Sequence, residues 1–434
     1  MRTLSWHSAA LLLALAVFGG PVFGGPSIGE PAGTPSVPEN GEARALLRDT
    51  IFAPIGEAAA RTPLVVEQSD GEKVSYHGEK QAGALYLVFA NRQGRGYPLA
   101  GTGTFIIKRS LRDGSFLHAK VFLQNDPGCY LRLFPRDDRT VMDIVLFGEP
   151  FQSEVALPVP FERVLTAPLS RIMELSSGNV DWSLVLAPAQ SQEDVRLSQV
   201  VAAIRGRLKG LRDMDDGAMD ASGRLVAIAT GLPAKAGRGG FNCSGFAKWV
   251  VDGFYAPLAG RDTDITALKS RDAMRENRWS ARLEEELDPY FGLDWSRGLA
   301  RSVYLARTGS AASDEQIDVR DADRVPYVTD AGYPVPSLRT LLYFLARKDP
   351  GMLYLGSVNA PSSAADRENT PSLRQHHHLV VLFPVFDERG SFRVVVMERN
   401  LETSLASLDR RYAAEYVHLV RIDANGPFSL PRFE

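Results

Sequence analysis

The 434-residue sequence predicts an α+β protein, because strand patterns and helix patterns occupy different stretches of the chain. From Gly83 to Phe161, short apolar runs alternate with turn signals, which is typical of antiparallel strands. From Arg196 to Arg212, apolar residues recur at helical spacing. A chain of this length is expected to hold about two or three domains. We therefore expect a β-rich domain followed by a mixed domain.

The β-rich part contains five runs of strand length. They read GALYLVFAN, GTFIIKRS, SFLHAKVFLQ, CYLRLFPR and TVMDIVLFG. In the third run, His118 and Lys120 lie on one face. Its other face is apolar and consists of Leu117, Ala119, Val121 and Leu123. We expect these strands to form a small sandwich or barrel within residues 46–170.

The first residues have the pattern of an export signal. Arg2 is followed by the apolar core AALLLALAVF and then by small residues, so we expect a signal peptide over residues 1–24. A retained anchor is the alternative, although a bilayer crossing needs about 20 apolar residues. Residues 25–45 are rich in Gly, Pro and Ser and predict a flexible linker. The expected location is periplasmic or secreted, with no membrane span in the mature chain.

Cys243 is the strongest candidate for a nucleophile. It follows the glycine-rich segment GLPAKAGRGGFN and begins an amphipathic helix whose apolar face includes Phe246, Val250 and Phe254. The free N–H groups of a first helical turn favour a thiolate and donate to an oxyanion. Asn242 and Ser244 flank the cysteine, and we expect them to support the helix start and the oxyanion.

Three consecutive histidines, His376 to His378, are the candidates for a catalytic base. They open the run HHHLVVLFPVF, which predicts a buried strand, and the turn at residues 387–390 leads to a second strand, SFRVVVMERN. His378 is the first choice because it directly precedes the apolar run, His377 the second and His376 the third. Strand neighbours on opposite faces do not converge on one ion, so the sequence predicts no metal site and no cofactor.

The third member of the site is left open between two residues of the second strand. If Asp387 pairs with Ser391, then Asn400 lies opposite His378 and Glu398 opposite Val380. Asn400 offers a neutral partner for the imidazole, and Glu398 offers a carboxylate. A one-residue error in the turn reverses the choice.

The second cysteine, Cys129, is predicted to be a buried structural thiol. In the strand CYLRLFPR it shares the apolar face with Leu131 and Leu133. The alternative is a disulfide bond between Cys129 and Cys243, because exported chains often pair their cysteines.

These segments together resemble the NlpC-type cell-wall cysteine peptidases, whose fold is papain-like. The nucleophile motif matches at Gly231, Pro233, Gly239, Gly240, Phe241, Cys243, Ser244 and Gly245. The segment from Asp349 to Leu353 is similar to the family's Pro-Gly-Asp-Leu segment before the histidine strand. The resemblance implies a papain-like domain over residues 171–434. The long interval between Cys243 and His378 implies an insertion at about 262–337. We expect it to form either a lid or wall for the substrate groove or a helical embellishment that does not contact substrate.

The resemblance also implies hydrolysis of peptide bonds in bacterial peptidoglycan, with stem peptides as the partner. Two alternatives stay open: an amidase or acyltransferase that acts on other amides, and an inactive cell-wall-binding protein of the same fold. Ala234, which replaces the tyrosine usual in the family, favours the inactive alternative. The net charge of −3 gives no electrostatic reason to expect nucleic acid.

Overall fold

The computed structural model describes residues 37–234, 239–270, 288–322, 325–329, 331–361, 374–388 and 390–432. The predicted signal segment 1–24 and linker residues 25–36 lie outside these ranges. Helix α1 (Gly41–Leu46) occupies the end of the predicted linker. Its Ala43 and Arg44 are buried, so the linker prediction is wrong for this part and the folded chain begins earlier.

The first sheet is an eight-stranded antiparallel meander in which each strand pairs with the next one along the chain. Its strands are β1 (Leu64–Glu67), β2 (Lys73–Gln81), β3 (Ala84–Asn91), β4 (Phe105–Ser110), β5 (Phe116–Phe122), β6 (Tyr130–Arg136), β7 (Arg139–Leu146) and β8 (Glu149–Leu157). The five predicted strands are confirmed as β3 to β7, and β1, β2 and β8 were missed.

The meander differs from the predicted sandwich or barrel. Residues 64–157 are all described, and their eight strands form one sheet instead of two stacked ones. Within this range β1 and β8 each pair with a single neighbour and not with each other, so hydrogen bonds do not close a barrel. The strands follow one another through short turns, which favours a simple meander.

A bulge between β4 and β5 corrects one predicted face. Lys108 pairs with His118, but the next residue, Arg109, pairs with Phe116. Leu117 is therefore the extra residue, and it is 40% exposed instead of lying on the apolar face. The other three residues predicted for that face, Ala119, Val121 and Leu123, are buried.

Helices α2 to α7 lie before the cysteine in the chain. They are α2 (Arg48–Phe52), α3 (Ile55–Ala60), α4 (Phe161–Val164), α5 (Leu169–Ser176), α6 (Trp182–Val185) and α7 (Gln192–Leu208). Helix α7 confirms the predicted amphipathic helix, and its Leu197, Val201 and Ile204 are buried. It begins before the predicted start, because Ser191 and Asp194 form a capping box.

The second sheet has six antiparallel strands in the order β11-β16-β12-β13-β14-β15. They are β11 (Tyr333–Pro334), β12 (Met352–Pro361), β13 (Arg374–Phe386), β14 (Phe392–Glu398), β15 (Leu401–Thr403) and β16 (Tyr416–Asp423), while β9 (Gly217–Met219) and β10 (Leu225–Ala227) pair separately. The histidine hairpin is confirmed, with Val381 opposite Met397. The Asp387 N–H donates to the Ser391 carbonyl, as the assumed turn requires.

Six helices accompany this sheet. They are α8 (Cys243–Ala259), α9 (Ile265–Leu268), α10 (Phe291–Thr308), α11 (Asp314–Ile317), α12 (Leu338–Lys348) and α13 (Leu405–Tyr412). Helix α10 comes from the predicted insertion and packs against α8. Its Trp295 is fully buried and donates its indole N–H to the Ser244 carbonyl at 3.0 Å. Helix α10 is therefore part of the core that supports Cys243 and is not a peripheral embellishment.

Two hydrophobic clusters hold the sheets and helices together. One contains apolar residues of β3 to β7, α12 and one face of β13. The other contains α8, α10 and the opposite face of β13. Tyr343 of α12 joins the two sheets, with its ring centroid 5.2 Å from that of Phe147 and 5.3 Å from that of Phe392. None of the helices in the described ranges has the length and apolar character needed to span a bilayer.

A buried ion pair within α8 gives a stability prediction. The Lys248 Nζ lies 2.5 Å from an oxygen of Asp252, and both side chains are fully buried. The other Asp252 oxygen accepts from the backbone N–H and hydroxyl of Thr263. Lys248→Met leaves a buried carboxylate without its cation, and we expect the free energy of unfolding to fall by roughly 3–5 kcal/mol in urea denaturation.

The control for this prediction is a pair of the same spacing at the surface. Arg224 lies 2.8 Å from Asp220, and the arginine side chain is 69% exposed. Arg224→Gln is expected to change the free energy of unfolding by less than about 1 kcal/mol. Equal effects of the two substitutions would show that burial does not strengthen the α8 pair.

Candidate active site

Cys243 is the first residue of α8, and its neighbours fix the helix start. Asn242 is the N-cap, and its side-chain oxygen accepts from the Gly245 N–H at 2.7 Å. The Asn242 amide donates to the Asp215 carbonyl at 3.2 Å. Gly245 packs against β9 so closely that a Cβ would lie 1.9 Å from the Gly217 oxygen. Only glycine fits at this position. The close packing of Gly245 on β9 fixes the position of the helix end that carries Cys243.

The cap also determines which N–H groups of the first turn are available to an oxyanion. The Gly245 N–H is taken by Asn242. Within the described part of the chain, no acceptor contacts the N–H groups of Cys243 and Ser244. These two groups are the donors that a helix start offers to a developing negative charge. Asn242 therefore supports the site by capping, and Ser244 by its backbone.

His378 contacts the Cys243 thiol from strand β13. Its Nε2 is held by a carboxylate, which leaves Nδ1 as the ring nitrogen for the sulfur, and the interaction of the two side chains lowers the pKa of Cys243 and raises that of His378. Interactions with the Leu379 N–H and the Ser244 side chain also lower the pKa of the thiol. Cys243 is half-buried, whereas His378 is 8% exposed. The start of α8 and the strand β13 thus bring the thiol and the imidazole together.

Glu398 is the residue that holds the imidazole. Its Oε2 lies 2.5 Å from the His378 Nε2, and its side chain is 4% exposed. Strand β14 ends at Glu398, because Arg399 and Asn400 have φ values of +43° and +71° and turn the chain into β15. Of the two residues left open by the sequence, the structure brings Glu398 to the histidine.

Asn400 is placed elsewhere by the same turn. Its amide nitrogen donates to the carbonyls of Arg212 at 2.9 Å and Phe241 at 3.4 Å. Asn400 therefore ties the β14–β15 turn to the chain before Cys243. Asn400 does not lie opposite His378 as predicted, because the chain turns from β14 into β15 before that pair can form.

Helix α13 supplies two further side chains that sequence reasoning missed. Arg411 donates to the Glu398 Oε1, the oxygen that His378 does not use. The Tyr412 ring lies against His378, with centroids 5.8 Å apart. No spacing rule connects these two residues to β14. The one available signal was that Arg411 is a cation, because a buried glutamate such as Glu398 needs a cationic partner.

The charges of these side chains favour an ion pair between sulfur and imidazole. Burial alone raises the pKa of the Cys243 thiol, but the hydrogen bond and positive charge of His378 outweigh it and lower that pKa. Burial opposes a charged His378, yet hydrogen bonds to Cys243 and Glu398 raise its pKa to about 9. Burial likewise opposes a charged Glu398, and His378 and Arg411 lower its pKa. These shifts favour the charged pair of thiolate and imidazolium over the neutral thiol and imidazole.

The other two histidines of the triplet have different surroundings. His376 is buried, with Nδ1 3.0 Å from the Ser357 hydroxyl. His377 is the extra residue of a bulge, because Val358 pairs with His378 and the next residue of β12 pairs with His376. The His377 Nε2 lies 3.4 Å from a Glu415 oxygen. The second and third choices for the base therefore make other contacts.

A cavity of about 680 Å³ lies next to the histidine strand. Gln375, His376 and His377 form part of its lining, so it borders the residues directly before His378. Charged groups on its walls include Asp216, Lys269 and Asp288. This volume is in the range of small-molecule binding sites. Among the described residues, no group of three His, Cys, Asp or Glu side chains converges as a metal site.

Cys129 is a buried thiol, as the sequence predicted. It is free, and the Phe147 N–H donates to its sulfur at 3.3 Å. Burial raises the pKa of this thiol to about 12. Cys243 is also free, so the alternative of a disulfide bond between the two is not realised.

Comparison with known proteins gives one match. Residues 34–184 match a family described as a domain of unknown function (DUF8515). This range contains the whole first sheet and none of Cys243, His378 and Glu398. No curated protein and no solved structure matches the chain.

The ion pair gives a pH prediction for thiol alkylation. Because the pKa of Cys243 is lowered, iodoacetamide should modify it at pH 6 to 7 at least tenfold faster than an ordinary cysteine, whose pKa is about 8.5. His378→Ala removes the charge that lowers this pKa, so the rate at pH 6 should fall at least tenfold. Mass spectrometry gives the modified residue, and Cys129 should remain unmodified. A titration midpoint near 8.5 in the unsubstituted protein would contradict the ion pair.

A second prediction concerns the carboxylate. Glu398→Gln keeps the shape of the side chain but removes its charge, so the pKa of His378 should fall from about 9 and its imidazolium should deprotonate at lower pH. NMR titration of the imidazole measures this shift directly. Arg411→Gln removes a cation and keeps the Glu398 carboxylate, so it should not lower the His378 pKa. An unchanged His378 pKa in Glu398→Gln would contradict the assigned role.

Proposed function

We propose that this protein is a cysteine hydrolase that cleaves amide bonds through a thioester intermediate. The observation that carries the proposal is the arrangement of Cys243, His378 and Glu398 at the start of a helix. A thiolate beside an imidazolium is the reactive form of a catalytic cysteine. The third group orients the imidazole and stabilises its positive charge.

In the first half of the proposed reaction, the Cys243 sulfur attacks the amide carbonyl carbon and a C–S bond forms. The carbonyl oxygen becomes an oxyanion, and the N–H groups of Cys243 and Ser244 donate to it. The His378 imidazolium gives its proton to the amide nitrogen. The C–N bond then breaks, the amine leaves, and the acyl group remains as a thioester.

In the second half, water hydrolyses the thioester. His378, now neutral, takes a proton from water while the oxygen attacks the carbonyl carbon. The C–S bond breaks and gives a carboxylic acid and the thiolate, with the imidazole again protonated. Glu398 stays ionised throughout, because Arg411 and His378 each hold one of its oxygens.

The proposed substrate is the peptide part of bacterial peptidoglycan. This substrate class rests on the resemblance of the Cys243 segment to the NlpC-type peptidases. It agrees with the apolar segment after Arg2, which predicts export to the periplasm or the medium. We propose that the cavity beside His376 and His377 receives one side of the cleaved bond.

The test is digestion of purified peptidoglycan, with new amino groups and released peptides measured by mass spectrometry. Cys243→Ala should lower the rate at least 10³-fold, because the reaction loses its nucleophile. Cys129→Ala is the matched control, since it removes the other thiol, whose sulfur accepts from the Phe147 N–H, and it should retain activity.

Three outcomes separate the possible functions. Release that depends on Cys243 supports the proposal. Rapid alkylation of Cys243 without release from peptidoglycan would indicate an amidase or acyltransferase that acts on other amides. Slow alkylation with an ordinary thiol pKa, together with no release, would indicate an inactive binding protein.

A further inference from the structure

One face of the first sheet carries a cluster of cations that the proposed hydrolase reaction does not use. In β4, β5 and β6, odd-numbered residues such as Ile107, Val121 and Leu131 belong to the hydrophobic core. The even-numbered residues point to the opposite face. On this face lie Lys108, His118, Lys120 and Arg132, interleaved with the rings of Tyr86, Tyr130 and Phe134. We call these seven residues the basic face, and all of them are half-exposed.

The cations of the basic face stand directly opposite one another. Lys108 pairs with His118 across β4 and β5, and Lys120 pairs with Arg132 across β5 and β6. Like charges at opposed positions destabilise a sheet. Burial, followed by the charges of Lys108, Arg132 and Lys120, lowers the pKa of His118 to about 4. Burial and then Arg132 also lower the pKa of Lys120.

Carboxylates near the basic face do not neutralise it. Asp143 lies opposite Arg132 and 3.3 Å from it. Glu79 lies opposite Tyr86, one strand away from Lys108. The three permanent cations therefore face one paired aspartate and one more distant glutamate. This local excess of positive charge occurs in a chain whose net charge is −3.

Aromatic rings lie beside each of the three permanent cations. The Lys120 Nζ is 3.5 Å from the centroid of the Tyr130 ring. The Arg132 guanidinium is 4.9 Å from that of Phe134, and the Lys108 Nζ is 5.3 Å from that of Tyr86. These contacts hold the cationic groups over the sheet surface. The half-exposed rings provide flat apolar surfaces beside the cations.

We propose that the basic face binds an acidic polysaccharide, with the cations pairing with its carboxylates and the rings packing against its sugar faces. We expect the ligand to be an anion because its charge would complement the three cations. These cations lie on adjacent strands, and adjacent strands are about 5 Å apart. The aromatic rings favour a chain with flat apolar surfaces over a simple anion. The net charge of −3 gives no electrostatic reason to favour a nucleic acid.

The experiment measures binding of oligogalacturonate, a carboxylated polysaccharide, to the full chain by calorimetry at two salt concentrations. The test variant replaces Lys108, Lys120 and Arg132 with glutamine. We expect its affinity to fall at least tenfold, and the slope of log K against log salt to decrease by about two. The matched control replaces Arg48, Lys80 and Arg163 with glutamine, which removes the same charge from exposed positions outside the basic face. It should change the affinity less than twofold.

His118 gives a second readout that does not depend on substitution. A bound carboxylate offsets the repulsion from the lysines, so saturating oligogalacturonate should raise the pKa of His118 from about 4 by one unit or more in NMR titrations. Equal losses in the two triple variants, an unchanged His118 pKa, or tighter binding of oligothymidylate would each overturn the proposal. Cys243→Ala should bind like the unsubstituted protein, so this test stands apart from the hydrolase proposal.

Discussion

The hydrogen bond between the Cys243 thiol and the His378 imidazole is the contact on which the rest of the candidate site depends. It exists because the start of α8 is seated against β9 and held from behind by α10. Gly245 lets the helix approach the Gly217 carbonyl, and Trp295 donates to the Ser244 carbonyl. A displacement of the helix start by a single ångström would separate sulfur from imidazole, because hydrogen bonds weaken steeply with distance.

A line of alternating charges extends from the surface to the sulfur. Arg411 is 41% exposed and holds Glu398, which is nearly buried and holds His378, which in turn faces Cys243. Each buried charge in this line has an opposite neighbour, and such pairing offsets the cost of removing charges from water. Helix α13 has two roles here, because its Tyr412 also covers the imidazole ring. The charge state of the thiol thus depends on a helix that follows β14 in the chain.

Sequence patterns predicted those parts of the fold and site whose spacing is local. Strands β3 to β7, the histidine hairpin and the helices α7 and α8 follow from periodicity and turn residues over short windows. Strands β2 and β8 were missed because their exposed positions carry many polar residues. The hairpin register was also correct, yet it could not decide between Glu398 and Asn400. Arg399 and Asn400 adopt left-handed backbone conformations, so the strand ends at Glu398, two residues before Asn400, and this decided between the two candidates.

The sequence by itself determined the chemistry that is available: a cysteine at a helix start, a histidine at the head of a strand and a carboxylate on the next strand. These follow from local backbone preferences, which act over a few residues. Only the tertiary structure decided that Glu398, supported by Arg411, holds His378, and that α10 is a core helix behind Cys243. Such choices depend on contacts between segments far apart in the chain. They are fixed by packing and by the pairing of buried charges, neither of which has a period that the sequence displays.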